Sequence, residues 1–252
     1  MVRTIAVHSF RGGTGKSTIT ANVSCWLALQ GHKVGVVDLD LAAPGLHLSF
    51  RVDRSMIRGT LNDFLYGRRE LSEVIIDVTQ HLSIENGKLY FIPASFTADE
   101  IIRVLREGYD AALFTDGIRA MARGLNLDYI LVDTHPGISE DTLLAIAACD
   151  VVAVVLRLDK QDFTGTAITL ELTRRFGRQP LLVVSQVPKA MVESIVRRIV
   201  ESNFHYPVAG VIYFDEDVLE ASRTREIFVL TRPEHAFSKT MGEIAKRLAG
   251  LV

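Results

Sequence analysis

The chain has two cysteines among its 252 residues, Cys25 and Cys149, far apart and each within an apolar stretch. No CxxC or Cys/His cluster accompanies them, which argues against a zinc or iron–sulfur site within one chain. Both read as buried thiols acting as small hydrophobes. Charge of one sign is also missing: the formal net charge is −2, so no global basic excess points to nucleic acid. Only a local basic face could hold DNA or an anionic membrane. No apolar run reaches the roughly 18 residues of a membrane span. Residues 1–8 read as a strand and not as a basic, apolar and small-residue leader. A cytoplasmic protein is the expectation. Linkers rich in Pro or Ser, internal repeats and low-complexity segments are absent too, so residues 1–252 are expected to form one domain.

What is present is an alternation of short β-rich runs and amphipathic segments. The runs are 5–8, 34–38, 89–93, 129–133, 151–156, 181–185 and 208–213. Most are continuously apolar, as strands covered on both faces must be. Helices are predicted over 16–30, 98–105, 111–123, 140–148, 162–176, 189–202 and 237–249. This pattern predicts an α/β fold, a mostly parallel twisted sheet with helices on both faces. The stretch 47–87 breaks the rhythm, with a short helix expected at 60–65 and an amphipathic segment at 71–78. It reads equally well as a functional excursion or as padding.

Ligands in such sheets bind outside the carboxyl ends of the strands. The first strand runs there into Ser9-Phe10-Arg11-Gly12-Gly13-Thr14-Gly15-Lys16-Ser17-Thr18, and a helix follows. Glycines let backbone N–H groups turn inward around phosphate oxygens, and the helix N-terminus adds partial positive charge. Lys16 supplies a full cation to the β- and γ-phosphates, and the Ser17 hydroxyl can ligate Mg²⁺. Gly12, Gly13, Thr14, Gly15, Lys16, Ser17 and Thr18 are therefore the candidate nucleotide-binding loop of a P-loop NTPase.

Two further strand ends carry acids. Asp38 and Asp40, two residues apart, would project to one face, toward a metal and the γ-phosphate. An apolar strand closing on Asp133 has the pattern of a Walker B aspartate, which holds Mg²⁺ through water. Ser17, Asp40 and Asp133 are the candidate metal residues.

The loop departs from G-x-x-x-x-G-K-[ST], because Phe10 occupies the first glycine position. It resembles instead the deviant form of the MinD/ParA ATPases, [K]-G-G-x-G-K-[ST], with Arg11 in place of the signature lysine. The resemblance extends over nearly the whole chain. Asp38-Leu39-Asp40 resembles the family's first switch, D-x-D, and Asp133-Thr134-His135-Pro136-Gly137 its second, D-T-x-x-G. Gly59-Thr60-Leu61-Asn62-Asp63-Phe64-Leu65, Phe91-Ile92-Pro93-Ala94-Ser95 and Gly210-Val211-Ile212-Tyr213-Phe214-Asp215 resemble further family segments. It implies ATP and Mg²⁺ as cofactors, slow partner-stimulated hydrolysis, and an ATP-dependent homodimer. In this family the second switch-one aspartate orients the attacking water, a role carried to Asp40 with Asp38 in support. Lys16 completes the catalytic set with Arg11, which by resemblance reaches the partner's phosphates or serves only its own subunit. Trans contact is the expectation. The family's base-contacting Asn-[Lys/Arg] appears as Ser185-Gln186, with the Gln186 amide the candidate base contact, and Tyr213, Phe214 and Asp215 stand in the adenine-side loop, with Tyr213 replacing a proline. His135 reads as an exposed loop residue without a role, or as a phosphate sensor.

The implied work is to position division machinery or a cellular cargo on a membrane or nucleoid, with an unidentified activator or cargo protein as partner. Arg174, Arg175, Arg178, Arg197, Arg198, Arg223 and Arg225 are candidates for a DNA-facing surface or ordinary solvated helix ends. The stripe Phe237, Met241, Ile244 and Leu248 fits a core-packed helix or a membrane-surface one, and core packing is the expectation. The rival readings are a ligase-like metabolic P-loop enzyme and a nucleotide-binding adaptor with little turnover. The absence of paired cysteines removes support for the electron-transfer branches of the family.

Overall fold

The computed structural model describes residues 2–252, the side chains of Leu105 and Ser222 excepted. The chain starts with β1 (Arg3–His8), α1 (Lys16–Leu29) and β2 (Lys33–Leu39). The irregular stretch follows, with α2 (Leu46–Ser49), α3 (Leu61–Leu65), α4 (Leu71–Val74) and β3 (Ile76–Asp77). Alternation resumes with β4 (Lys88–Ile92), α5 (Ala98–Glu107), α6 (Ala111–Gly124), β5 (Tyr129–Thr134), α7 (Glu140–Ala148) and β6 (Val151–Leu156). It continues through α8 (Lys160–Arg175), β7 (Gln179–Val187), α9 (Glu193–Phe204) and β8 (Val208–Tyr213). Three helices close the chain: α10 (Glu216–Thr224), α11 (Phe228–Thr231) and α12 (Ala236–Ala249).

Among the described residues eight strands form one sheet in the order β3-β4-β2-β5-β1-β6-β7-β8, parallel throughout except for β3 against β4. Successive side chains of a strand point to opposite faces. Ile5 and Val7 accordingly join one core with α1 and α12, while Ala6 joins the other with α6, α7, α8 and α9. Both faces are covered, which is why β5 and β6 are buried along their whole length. Cys25 and Cys149 are buried, and burial pushes both thiols up, Cys149 to about 12.

Several boundaries differ from the sequence expectation for local reasons. The segment expected to be amphipathic over 71–78 ends its helix at Val74. The β-branched Ile75 leads into β3, which starts at Ile76, and the Val78 N–H donates to the Leu89 carbonyl of β4. The irregular stretch wraps the β4 edge, placing Phe50 and Val52 in one core and Leu61, Leu65 and Val74 in the other. Covering an edge in this way blocks pairing with another chain. Helix α8 starts at Lys160 because the Asp159 side chain accepts from the Gln161 and Asp162 N–H groups. Helix α9 starts at Glu193, after a turn in which the Met191 N–H donates to the Pro188 carbonyl. Helix α10, which is not among the helices expected from sequence, is capped by Asp215.

The stripe of α12 lies in the core: Phe237, Met241, Ile244 and Leu248 pack with α1 and β8. Gly210 leaves room for it, since a Cβ there would lie 2.3 Å from Ile244. Among the described residues no helix is long and apolar enough to cross a membrane.

Candidate functional site

β1 lies between β5 and β6, and the connections from β1 and β5 leave toward opposite sides of the sheet. Such switch points leave a crevice at the carboxyl ends. The loop after β1 fills it. Gly13 and Gly15 have φ of 75° and 93°, a left-handed backbone that glycine adopts without steric cost. Helix α1 has no side-chain cap, so its first-turn N–H groups are free to meet an anion.

A cavity of about 600 Å³ opens over this loop. Residues 12–18, Asp40, Gln186 and 213–215 all line it, as do His135 and Arg225. Arg11, Asp38 and Asp133 do not.

Lys16 is buried on the cavity floor; burial lowers its pKa, opposed by the charges of Asp133 and Asp40. Asp133 accepts from the Ser17 hydroxyl at 2.6 Å and from the Thr20 hydroxyl at 2.9 Å. Burial pushes Asp133 up to about 6, against those hydrogen bonds and the Lys16 charge. Asp38 sits beside it in register, β2 against β5. The expected shared face of Asp38 and Asp40 is not what forms. Asp38 is fully buried and accepts from the backbone N–H groups of Asp40, Gly45 and Leu46 at 3.2, 3.3 and 3.2 Å. It therefore shapes the loop that carries Asp40. Burial and its neighbours Asp133 and Asp40 push its pKa well above the usual range.

Asp40 uses Oδ1 twice, accepting from the Ala43 N–H at 3.0 Å and from His135 Nδ1 at 2.7 Å. His135, read from sequence as an exposed loop residue or a phosphate sensor, is half-buried and hydrogen-bonded to Asp40. Nothing in the sequence marks the pair, 95 positions apart. The sequence also gave no signal for His8. Its Nδ1 lies 2.8 Å from the Thr134 hydroxyl, and burial, Lys16 and His135 push it down to about 3.

Phe10, which departs from the strict P-loop pattern, and Arg11, which departs from the family's deviant one, both rest on α8. Phe10 fits against Gly165, where a Cβ would lie 2.0 Å from its ring. Arg11 is ion-paired to Asp159 at 3.3 Å and Asp162 at 3.6 Å, within its own chain. Gln186, at φ 54°, donates its amide to the Gly13 carbonyl at 2.6 Å. Asp215 accepts from the Asp217 N–H and pairs with Lys189 at 3.1 Å.

The basic surface is mostly neutralised locally. Arg174 and Arg175 share Glu171, Arg197 pairs with Glu193, and Arg223 with Glu220. Arg178 donates to the Ala147 carbonyl. Arg198 is exposed, and Arg225 turns toward the cavity.

A parallel sheet with a glycine loop between strand and helix, a buried lysine on it, and a buried aspartate hydrogen-bonded to its serine defines the P-loop NTPase class. A family model described as AAA domain matches residues 2–180. An uncharacterized ATP-binding protein of Methanocaldococcus jannaschii is 28% identical over 99% of this chain and 89% of its own. The flagellum site-determining protein YlxH of Helicobacter pylori is 29% identical over 96% of this chain and 80% of its own. The septum site-determining protein MinD of Pyrococcus horikoshii, solved with Mg-ADP, superposes with a TM-score of 0.83 at 25% identity, covering 100% of this chain and 97% of its own. The chain belongs to the MinD/ParA family of P-loop ATPases.

Proposed function

We propose that the chain binds ATP with Mg²⁺ and hydrolyses it slowly, as a switch whose ATP-bound form dimerises. The observation that carries this reading is that Lys16, Ser17 and Asp40 line one cavity, with Asp133 accepting the Ser17 hydroxyl behind it. Asp38, Asp40 and Asp133 bring three carboxylates to a region with one lysine, and two of them are raised by burial. That excess of hard oxygen donors fits a divalent cation such as Mg²⁺. Ser17, Asp133 and Asp40 would hold it, and when bound it neutralises charge on the phosphates. Residues 12–18 would wrap the phosphates, and Asp40 would orient the attacking water. Gln186, Tyr213, Phe214 and Asp215 border the space for the base, and Gln186 would exchange its bond to Gly13 for a bond to adenine.

The relatives that place a septum or a flagellum support a positioning role on a membrane or nucleoid surface, with a cargo or activator protein as partner. The γ-phosphate would add contacts from both switch loops to the phosphate loop, so hydrolysis would release the assembly. Comparing ATP turnover with and without duplex DNA or anionic vesicles tests this reading. No turnover under any condition would leave a nucleotide-binding adaptor.

Asp40→Ala is expected to keep nucleotide affinity, to lose about a hundredfold or more in turnover, and to accumulate the ATP-bound dimer. Turnover at the wild-type rate in that variant would remove Asp40 from catalysis.

Arg11 distinguishes the switch from the adaptor. To reach a partner's phosphates it must leave Asp159 and Asp162, and its fork can then make paired hydrogen bonds. Arg11→Ala is expected to spare ATP binding by the monomer but to reduce ATP-dependent dimerisation and turnover together, with Arg11→Lys preserving much of both. Sedimentation with ATP measures this, and an undiminished dimer with normal turnover would confine Arg11 to its own chain.

A further inference from the structure

We propose that His135 is a positioning residue that clamps the Asp40 carboxylate in its working rotation, so that the loop after β5 sets the loop after β2. The inference rests on the reading that Asp40 orients the attacking water.

Asp40 lies just past the end of β2, where no strand pairing fixes it. Of its two carboxylate oxygens, Oδ1 takes both hydrogen bonds. Oδ2 has none from the described residues, and Asp40 lines the cavity. The Ala43 N–H belongs to the same loop and moves with it. The imidazole is the hydrogen-bonding partner that comes from outside that loop. A carboxylate held through one oxygen by two donors has its side-chain rotation fixed, leaving the other oxygen for a water. Held by Ala43 alone it can turn, and the ordering must then be supplied again at each turnover.

The imidazole is itself braced. The Gly137 N–H donates to the Ser9 carbonyl at 3.0 Å, tying the loop to the start of the phosphate loop. The Thr142 hydroxyl, in the first turn of α7, donates to the Gly137 carbonyl at 3.0 Å and also reaches the His135 carbonyl at 3.5 Å. Ser139 caps that helix by accepting the Thr142 N–H. His135 Nδ1 therefore starts from a loop fixed at both ends. Because Asp40 Oδ1 accepts, Nδ1 must carry the proton, which sets the ring's tautomer. The pair couples the two switch loops directly, before any ligand bridges them.

The test uses the full chain with His135→Ala, His135→Asn and His135→Gln, in single-turnover ATP hydrolysis with protein in excess. Asparagine keeps a donor near the Nδ1 position, whereas glutamine carries its donor out toward Nε2. The Ala variant is expected to lose about 10- to 100-fold in turnover, the scale on which small misplacements act. Its calorimetric affinity for Mg-ADP is expected to stay within about twofold of wild type, separating orientation from binding. Asparagine is expected to restore most of the rate and glutamine little of it. In an Asp40→Ala background, His135→Ala is expected to add nothing, since the group it positions is gone.

Wild-type turnover alongside an unimpaired Ala variant would overturn the inference and leave Asp40's role standing. Rescue by glutamine but not asparagine would also overturn it, moving the function to Nε2. A wild-type chain that binds nucleotide without hydrolysing it would sink the ATPase reading and this inference with it.

Discussion

Lys16→Ala is expected to weaken ATP binding by a hundredfold or more while the chain stays folded. The ammonium sits at the N-terminus of α1, on the floor of the cavity, with Gly13 and Gly15 holding the loop in its turn around it. Charge-assisted hydrogen bonds contribute about 1.5–3 kcal/mol each, and two phosphate contacts therefore reach at least a hundredfold in Kd. The loss should exceed that of a surface lysine, because a charged contact in a largely buried position is screened less by water. The same substitution removes the Lys16 cation that offsets burial at Asp133, so the Asp133 carboxyl should move further up from about 6. Titration calorimetry with ATP and Mg²⁺ measures the first effect, and circular dichroism checks the fold. Unchanged affinity in a folded Lys16→Ala variant would remove the nucleotide assignment, and with it most of the functional reading.

Removing α12 is expected to abolish cooperative folding and not merely to detach the chain from a surface. The helix contributes Phe237, Met241, Ile244 and Leu248 to the core it shares with α1 and β8. Four such side chains contribute roughly 6–12 kcal/mol at 1.5–3 kcal/mol each, comparable to the whole 5–15 kcal/mol stability of an ordinary domain. Two arginines add hydrogen bonds across the same seam, Arg3 to the Leu248 carbonyl and Arg247 to the Val208 carbonyl, both at 2.7 Å. A chain ending at Glu234 should show no sigmoidal thermal transition. Ile244→Ala supplies a milder measure, with an expected loss of about 2–5 kcal/mol for a buried large-to-small change. A truncated chain that melts cooperatively, yet no longer sediments with anionic vesicles, would show that the stripe serves a membrane.

Patterns local in sequence carried far. The apolar runs that must be covered on both faces marked seven of the eight strands, and the strand–glycine–lysine–helix order located the cavity. These were legible because the period of a strand, the conformational freedom of glycine and the field of a helix terminus are properties of adjacent residues. The last strand, β3, escaped because two residues carry no periodicity, and its pairing exists only against β4. Helix starts at Lys160 and Glu193 shifted because one side-chain cap and one proline turn decided them.

What tertiary structure alone decided is which distant groups meet. Asp38 and Asp40 are two residues apart and read alike, yet one is sealed beneath its own loop while the other faces the cavity. His135 lies next to the loop's other named residues but becomes meaningful only through Asp40, 95 positions earlier. Arg11, a charge conserved in kind but not in shape relative to the family lysine, is claimed by Asp159 and Asp162. Phe10, which breaks the strict P-loop pattern on paper, is accommodated because Gly165 offers no side chain. Sequence fixes such residues' chemistry, but hydrogen bonds and charges act over a few ångströms, so only the folding of β1, β2, β5 and α8 to one end of the sheet chooses their partners.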